Sequence, residues 1–326
     1  MGIFIDKRLD ERYHSICQAM QFHQSIILRK LANNRNEEIA FGRFLNNKYV
    51  TPRQMIKASC KRTAEVSRGR DVLLIQDTST MGFGMHSKIN GLGRIGDGKA
   101  YGFFLHPVIS VEAQSGHCLG LASASHYDRK DREDEVEQRK RDRLREPLAQ
   151  KESFRWYEEI QRALSYGRLA NNYTVVADRE AYIYELLVLL TALEVDFVIR
   201  SSSNRRVHDP TGDKLADVLA TSSVKGAYEV ALPATDKRSS HTAQLEVKWV
   251  KSHIAKPRSG TGTKHLAAEQ AVTAIEVREN PASVVGKEKP IHWRLLTSHE
   301  INTLKMPYAL LATTSIVGLL SNSFVP

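Results

Sequence analysis

The chain has 326 residues, 41% of them apolar. It is too long for one small core and too apolar for wholesale disorder, so two or three folded domains are expected. Lys and Arg outnumber Asp and Glu by 47 to 37, a formal charge of +10, which favours an anionic partner, nucleic acid first. The excess is uneven: residues 1–70 hold 14 Lys/Arg and 6 Asp/Glu. Cys17, Cys60 and Cys118 are odd in number and far apart. They match neither a zinc-ligand spacing nor a disulfide framework, and they fit a reducing cytoplasm. The first residues, MGIFIDKRLDER, lack an apolar run of the kind a signal peptide needs. The expected location is cytoplasmic, associated with the nucleoid, with no membrane partner.

Residues 6–68 read as helices. Asp6 is placed to cap a run through Leu31, with Leu9, Tyr13, Ile16 and Met20 along one side. Glu37–Asn46 is a second, short helix. Thr51-Pro52 forms an N-cap and first-turn pair for a third, running to about Arg68. Short helices this rich in Arg and Lys suit contact with a DNA backbone. The texture changes at Asp71. DVLLIQD is a short apolar run ending in an acid, the pattern of a buried strand with a functional end. Gly82 to Gly98 reads as a loop or hairpin. Tyr101–Val111 and Cys118–Ser125 are strands joined through Gln114-Ser115-Gly116, completing an antiparallel meander.

The charge run Arg129–Arg145 reads as a solvated face, and Lys151–Leu169 as an amphipathic helix. Tyr173–Ala177 is a fourth strand ending in an acid, Asp178. Glu180–Leu193 is a helix and Val195–Arg200 a fifth strand, so this part forms a parallel β-α-β unit. Residues 201–289 alternate strands with polar loops and read as a β-rich insertion. His292–Thr297 returns to an apolar strand. No internal repeat is visible.

Asp77 and Asp178 each follow an apolar strand directly. A strand-terminal Asp is more often a turn-former or a helix cap than a catalytic group. A phosphodiester-cutting site, however, needs carboxylates to hold two divalent metals about 3.5–4 Å apart. Mg²⁺ takes carboxylate oxygens and keeps several waters, so two or three acids suffice. Three meander strands followed by β-α-β match an RNase H-like core, where the first acid lies on strand one and the second at the end of strand four.

Ile75-Gln76-Asp77-Thr78-Ser79, followed about a hundred residues later by Ala177-Asp178-Arg179-Glu180-Ala181, resembles the insertion-sequence-four family of transposases. The resemblance extends to AFGRFLNNKYVTPRQM (Ala40–Met55), GLGRIGDGKAYG (Gly91–Gly102), ESFRW (Glu152–Trp156), FVIRS (Phe197–Ser201) and IHWRLLTS (Ile291–Ser298). It implies an Asp-Asp-Glu transposase with Asp77 and Asp178 as catalytic ligands of two Mg²⁺ ions, Mn²⁺ serving as a substitute. Arg43, Lys48, Arg53, Arg200 and Trp293 become candidate DNA contacts. The Trp293 indole would receive a base flipped out of the cut end, and the alternative is an ordinary core aromatic. Arg200 is otherwise a surface arginine at a strand end. Family activity is cut-and-paste: water nicks one strand, the freed 3′-hydroxyl attacks the opposite strand to form a hairpin, water opens it, and the 3′-hydroxyl attacks target DNA. The intact family works as a homodimer on double-stranded DNA.

The family also carries Tyr-x-x-Arg-x-x-x-Glu on a helix after the last strand, the Glu being the third acid. Nothing after Trp293 matches it. Arg155…Glu159 has the internal spacing but precedes Asp178 and lacks the tyrosine, and Glu300 comes too early and without the arginine. The tail, KMPYALLATTSIVGLLSNSFVP, is low in charge and a poor membrane span. A one-base shift in reading frame accounts for it. Read one base earlier from Lys305, the genetic code permits tyrosine over Thr314, arginine over Val317 and glutamate over Ser321, the family spacing.

The expected architecture is therefore α/β: an RNase H-like mixed sheet flanked by helices, with a β-rich insertion and an N-terminal all-helical DNA-binding domain. Its divisions are 1–68 helical, 69–200 core, 201–289 insertion, 290–304 return strand, and 305–326 an aberrant tail. The tail, Tyr308–Val325, is expected to pack poorly, and this copy to be inactive for want of the third acid. The rival readings are a non-catalytic DNA-end-binding protein or inhibitor derived from a transposase, and an RNase H-like nuclease unrelated to transposition.

Overall fold

The computed structural model describes residues 2–85, 89–96, 98–128, 148–211, 213–234, 239–258, 265–286 and 288–303. The charge run Arg129–Arg145 and the tail from residue 304 lie outside them, and so does the expectation of a poorly packed Tyr308–Val325.

Four helices open the chain: α1 Lys7–His23, α2 Leu28–Leu31, α3 Arg35–Leu45 and α4 Pro52–Val66. Asp6 caps α1, its carboxylate accepting from the Arg8 amide. The single run expected through Leu31 is broken, because Gln24 turns the backbone left-handed at φ 47°. The Ser25 hydroxyl then accepts from the Ile27 amide. That turn takes Ile26 and Ile27 off the helix face and leaves them exposed. Phe4, Ile16, Leu31, Phe41, Phe44 and Val50 give these helices a small core of their own. Thr51 and Gln54 close a reciprocal capping box with Pro52 in the first turn of α4. This helix passes from the helical region onto the sheet, packing along β5 (Cys118–Tyr127).

Among the described residues eleven strands form one mixed sheet. The first, β1, spans Asp71–Gln76, and β2 spans Ser79–Gly82. A short β3, Gly93–Ile95, precedes the long β4, Ala100–Glu112. The Gly-rich stretch expected as a loop thus contributes two short strands, both paired with β4. β4 runs antiparallel to β1 and β5. On its other edge β1 lies parallel to β6 (Asn172–Ala177), which lies parallel to β7 (Asp196–Arg200). The order through the centre is β5-β4-β1-β6-β7.

Beyond β7 come β11 (His292–Thr297), β10 (Glu269–Glu279), β9 (His241–Ala255) and β8 (Gly226–Leu232), all antiparallel. The insertion's strands therefore extend the central sheet. The stretch expected to be only strands and loops also contains a helix, α7, Leu215–Thr221. Its Leu215, Val218 and Leu219 bury against the sheet, and that tertiary burial outweighs a length too short for a stable isolated helix.

Helices α5 (Arg155–Ser165), α6 (Tyr184–Ala192) and α7 cover one face of the sheet. The expected helix over Lys151–Leu169 is shorter, beginning after a 3₁₀ turn at Glu152–Phe154 and ending at Ser165. The helix expected from Glu180 starts only at Tyr184, because Asp178 caps a 3₁₀ turn at Arg179–Ala181 first. Leu187 and Leu190 are fully buried in this layer; truncating such a leucine to alanine costs about 2–5 kcal/mol. Smaller apolar clusters occupy the other face, Leu73, Ile75, Val111 and Val176 beneath the centre and Val198, Val247, Ile275 and Leu295 toward the β8 side.

Candidate functional site

The parallel pairing of β1 and β6 matches Gln76 with Ala177, so the next residue on each strand is an acid, Asp77 and Asp178. The pairing of β6 with β7 matches Ala177 with Ile199, which brings Arg200 into the same row. Side chains alternate across a sheet. Leu74 and Val175 face the helical layer, while Ile75 and Val176 face away from it. Asp77 and Asp178 take up the alternation after Ile75 and Val176, and Arg200 follows Val198 in the same way. All three residues therefore lie on the face opposite the helices. Leu295 pairs with Arg200, and Trp293, two residues along β11, shares that face.

Both acids are half-buried. The Thr78 amide donates to Asp77 Oδ1 at 2.8 Å and the Glu180 amide to Asp178 Oδ1 at 2.8 Å. Burial pushes the Asp77 carboxyl up to about 6, with the charges of Asp178 and Glu180 adding to the rise and the Thr78 amide opposing it. An acid strained toward neutrality by burial and by a neighbouring carboxylate is relieved by a cation. Hard carboxylate oxygens are the donors Mg²⁺ and Mn²⁺ take. The pair fits a divalent ion as part of a donor set. Among the described residues no group of three or more His, Cys, Asp or Glu is placed to hold a metal.

The two decoys fall elsewhere. Glu159 belongs to α5 and is buried between that helix and the sheet, bonded to Ser123 of β5 and to Arg162. Glu300 is exposed and pairs with Lys251 at 2.7 Å.

Burial lowers the Arg200 pKa, as does the nearby Arg179, while Asp178 opposes the shift. An arginine beside an acid at a strand end is poised for an anionic oxygen. Trp293 is half-buried, packed against the apolar cluster of β9, β10 and β11, so one part of the indole is anchored and the rest faces outward. Arg43, Lys48 and Arg53 are exposed on α3, the α3–α4 link and α4, with the Lys48 ammonium 5.0 Å from the Tyr49 ring.

Sequence reading passed over the residues beneath the site. His106 of β4 is fully buried. Its Nδ1 lies 2.7 Å from Thr78 Oγ1, its Nε2 lies 3.2 Å from Gln76 Oε1, and its ring meets Trp156 edge-on at 4.6 Å. Burial lowers its pKa to about 4, helped by the charge of Arg155. Arg155 in turn stacks 3.3 Å from the Tyr127 ring centroid. The signal was present in FFLHPVIS: a histidine at an inward position of a strand whose inward neighbours, Phe104 and Val108, are apolar.

Among the described residues no helix is long and apolar enough to cross a membrane. No family model matches the chain. Among solved structures it is similar to a piggyBac transposase in a synaptic complex with hairpin DNA, at 10% identity and a TM-score of 0.40. The match covers 94% of this chain and 55% of that one, so the chain spans about half the length of that protein.

Proposed function

We propose that this chain is an Asp-Asp-Glu transposase of the insertion-sequence-four type, built on an RNase H-like core with an N-terminal helical DNA-binding domain at 1–68. The observation that carries the reading is the row Asp77, Asp178 and Arg200 at the ends of three adjacent parallel strands, on one face of the sheet. The strand order β5-β4-β1-β6-β7, with β4 alone running opposite to the other four, supports the core assignment.

Asp77 and Asp178 would hold Mg²⁺, two ions in the complete site. When bound, such ions activate the attacking oxygen and stabilise the leaving one. The chain's own groups do the rest. Arg200 faces the phosphate next to Asp178. Trp293 offers a platform for a flipped base, an interaction worth about 1–3 kcal/mol. The exposed cations of α3 and α4 hold the DNA backbone. In the family's homodimer on DNA, two such sites act on the two element ends.

The third acid is not among the described residues that converge here. By the resemblance the third acid belongs after Trp293, where the sequence carries no matching motif, so the second reading for this copy is a DNA-end-binding protein that does not cut. A cleavage assay on DNA carrying the element's ends, with Mg²⁺, tests both. The chain with its present C-terminal frame should bind without nicking. A version with the frame restored before Lys305, and the downstream sequence supplied, should nick. Nicking by neither version overturns the catalytic reading, and efficient nicking by the chain in its present frame overturns the claim that its site is incomplete.

A further inference from the structure

Strands β1 and β2 are two halves of one strand. Gln76 pairs with Val108 and Ser79 with Leu105, so the register against β4 carries on across the gap, and only Asp77 and Thr78 leave the ladder. That register sets His106 opposite Thr78. By alternation the side chains of Gln76 and Thr78 point toward the helical layer and that of Asp77 points away from it. The His106 ring lies on the helical side and reaches both flanking residues, Thr78 Oγ1 at 2.7 Å and Gln76 Oε1 at 3.2 Å.

The hydrogen bonding has one consistent assignment for this amide orientation. Gln76 Oε1 only accepts, so the facing Nε2 carries the ring proton. Nδ1 is then bare and accepts from the Thr78 hydroxyl. Trp156 packs edge-on against the ring and prevents it from turning away. The Gln76 amide nitrogen is buried with no hydrogen-bond partner among the described residues. Unsatisfied buried groups of this kind are uncommon and call for a reason.

We propose that His106 is a positioning residue: through Thr78 and Gln76 it clamps the chain on both sides of Asp77 and so aims the Asp77 carboxylate at the face opposite the helices. The clamp acts across the thickness of the sheet. Fixing the Thr78 side chain fixes the Thr78 amide, and that amide is the donor to Asp77 Oδ1. The inference rests on the reading of Asp77 as a metal ligand. It adds the group that orients the ligand, a kind of support whose loss typically lowers metal affinity 10–100-fold.

The test measures Mn²⁺ binding by electron paramagnetic resonance on the full chain, counting only the uptake that Asp77→Asn abolishes. Thr78→Val removes the hydroxyl and keeps the shape, whereas Thr78→Ser keeps the hydroxyl. Thr78 is only half-buried, so neither variant depends on opening the core as a His106 substitution would, and circular dichroism confirms that the chains compared are folded. The expected result is a 10–100-fold weaker Asp77-dependent affinity in Thr78→Val, restored in Thr78→Ser. A merely structural role would lower the melting temperature and leave the affinity of the folded chain unchanged. Wild-type affinity in Thr78→Val, or equal loss in both variants, overturns the clamp while leaving the metal reading standing. Absence of any Asp77-dependent uptake in the wild-type chain overturns both.

Discussion

Replacing Asp77 by Asn should make the metal-free protein more stable at neutral pH. In the folded chain burial, together with Asp178 and Glu180, raises the Asp77 carboxyl from 3.8 to about 6. The folded state therefore binds more protons than the unfolded state between those values, and stability falls as pH rises through that window. Each pH unit is worth about 1.4 kcal/mol, which sets an upper bound of about 3 kcal/mol. The carboxylate is only half-buried, so solvent screening reduces the expectation to about 1–2 kcal/mol. Asparagine keeps the oxygen that accepts from the Thr78 amide and removes the charge. Urea unfolding of both proteins without metal, from pH 3.5 to 8, should show the variant more stable above pH 6 and the two converging near pH 3.5. Mg²⁺ should then stabilise the wild type and leave the variant unchanged, because a ligand that binds only the folded state adds stability by mass action. A variant less stable at pH 7.5, or a difference that does not change with pH, refutes the argument that Asp77 is held in a charge-hostile position.

Three further outcomes follow from other parts of the molecule. Changing Arg43, Lys48 and Arg53 together to Gln should flatten the dependence of DNA affinity on salt, by about 0.9 in log–log slope for each phosphate that is no longer neutralised; an unchanged slope places the DNA elsewhere. Trp293→Ala should weaken binding to a duplex end with an unpaired terminal base by about 1–3 kcal/mol, with no matching loss on blunt duplex in competition binding. Glu276, 2% exposed, accepts from His292 and Arg294 at 2.9 Å each. Burial alone would raise its pKa, but these hydrogen bonds and the charge of Arg278 outweigh it and lower the net value. Its contribution is therefore present above pH 4.5 and lost as pH falls through the lowered value. Glu276→Gln should cost about 2 kcal/mol at pH 7 by urea titration and show a weaker acid dependence than the wild type.

The features legible in the sequence are those whose cause lies within a few residues. Thr51, Pro52 and Gln54 carry a complete helix start in four positions, and α4 begins there. DVLLIQD and YTVVAD each hold a strand's apolar run and its terminal acid together, and a helix between the fourth strand and the fifth marks the parallel β6–β7 pair that sets Arg200 in the row of Asp178; the parallel pairing of β1 with β6, which sets Asp77 there too, joins strands about a hundred residues apart and has no such local mark. The features that escaped notice depend on distant partners. Alternation in Glu246–Lys251 and Ala271–Arg278 marks strands without saying which edge they join, so the insertion's merger with the central sheet through β11 and β7 was not visible. The turn that ends α1 has glutamine, not glycine, at its left-handed position 24, so nothing local announces it, and the α2 and α3 contacts with α1 that accompany it are made by residues further along the chain.

His106 belongs to the same class as those distant pairings, and it shows why a candidate ligand such as Asp77 is easier to read in a sequence than the residue proposed to position it. A ligand has to present a carboxylate at a strand end, which restricts both residue type and local context. Its support has only to reach the right atoms from any neighbouring strand. In β4 a histidine among inward apolar residues looks like a burial cost with no evident return. Only the pairing across 28 residues, which sets its ring between Gln76 and Thr78, turns that cost into a reason. A buried polar residue facing a break in the adjacent strand is then the pattern to seek, because backbone and side chains that leave the ladder need other partners.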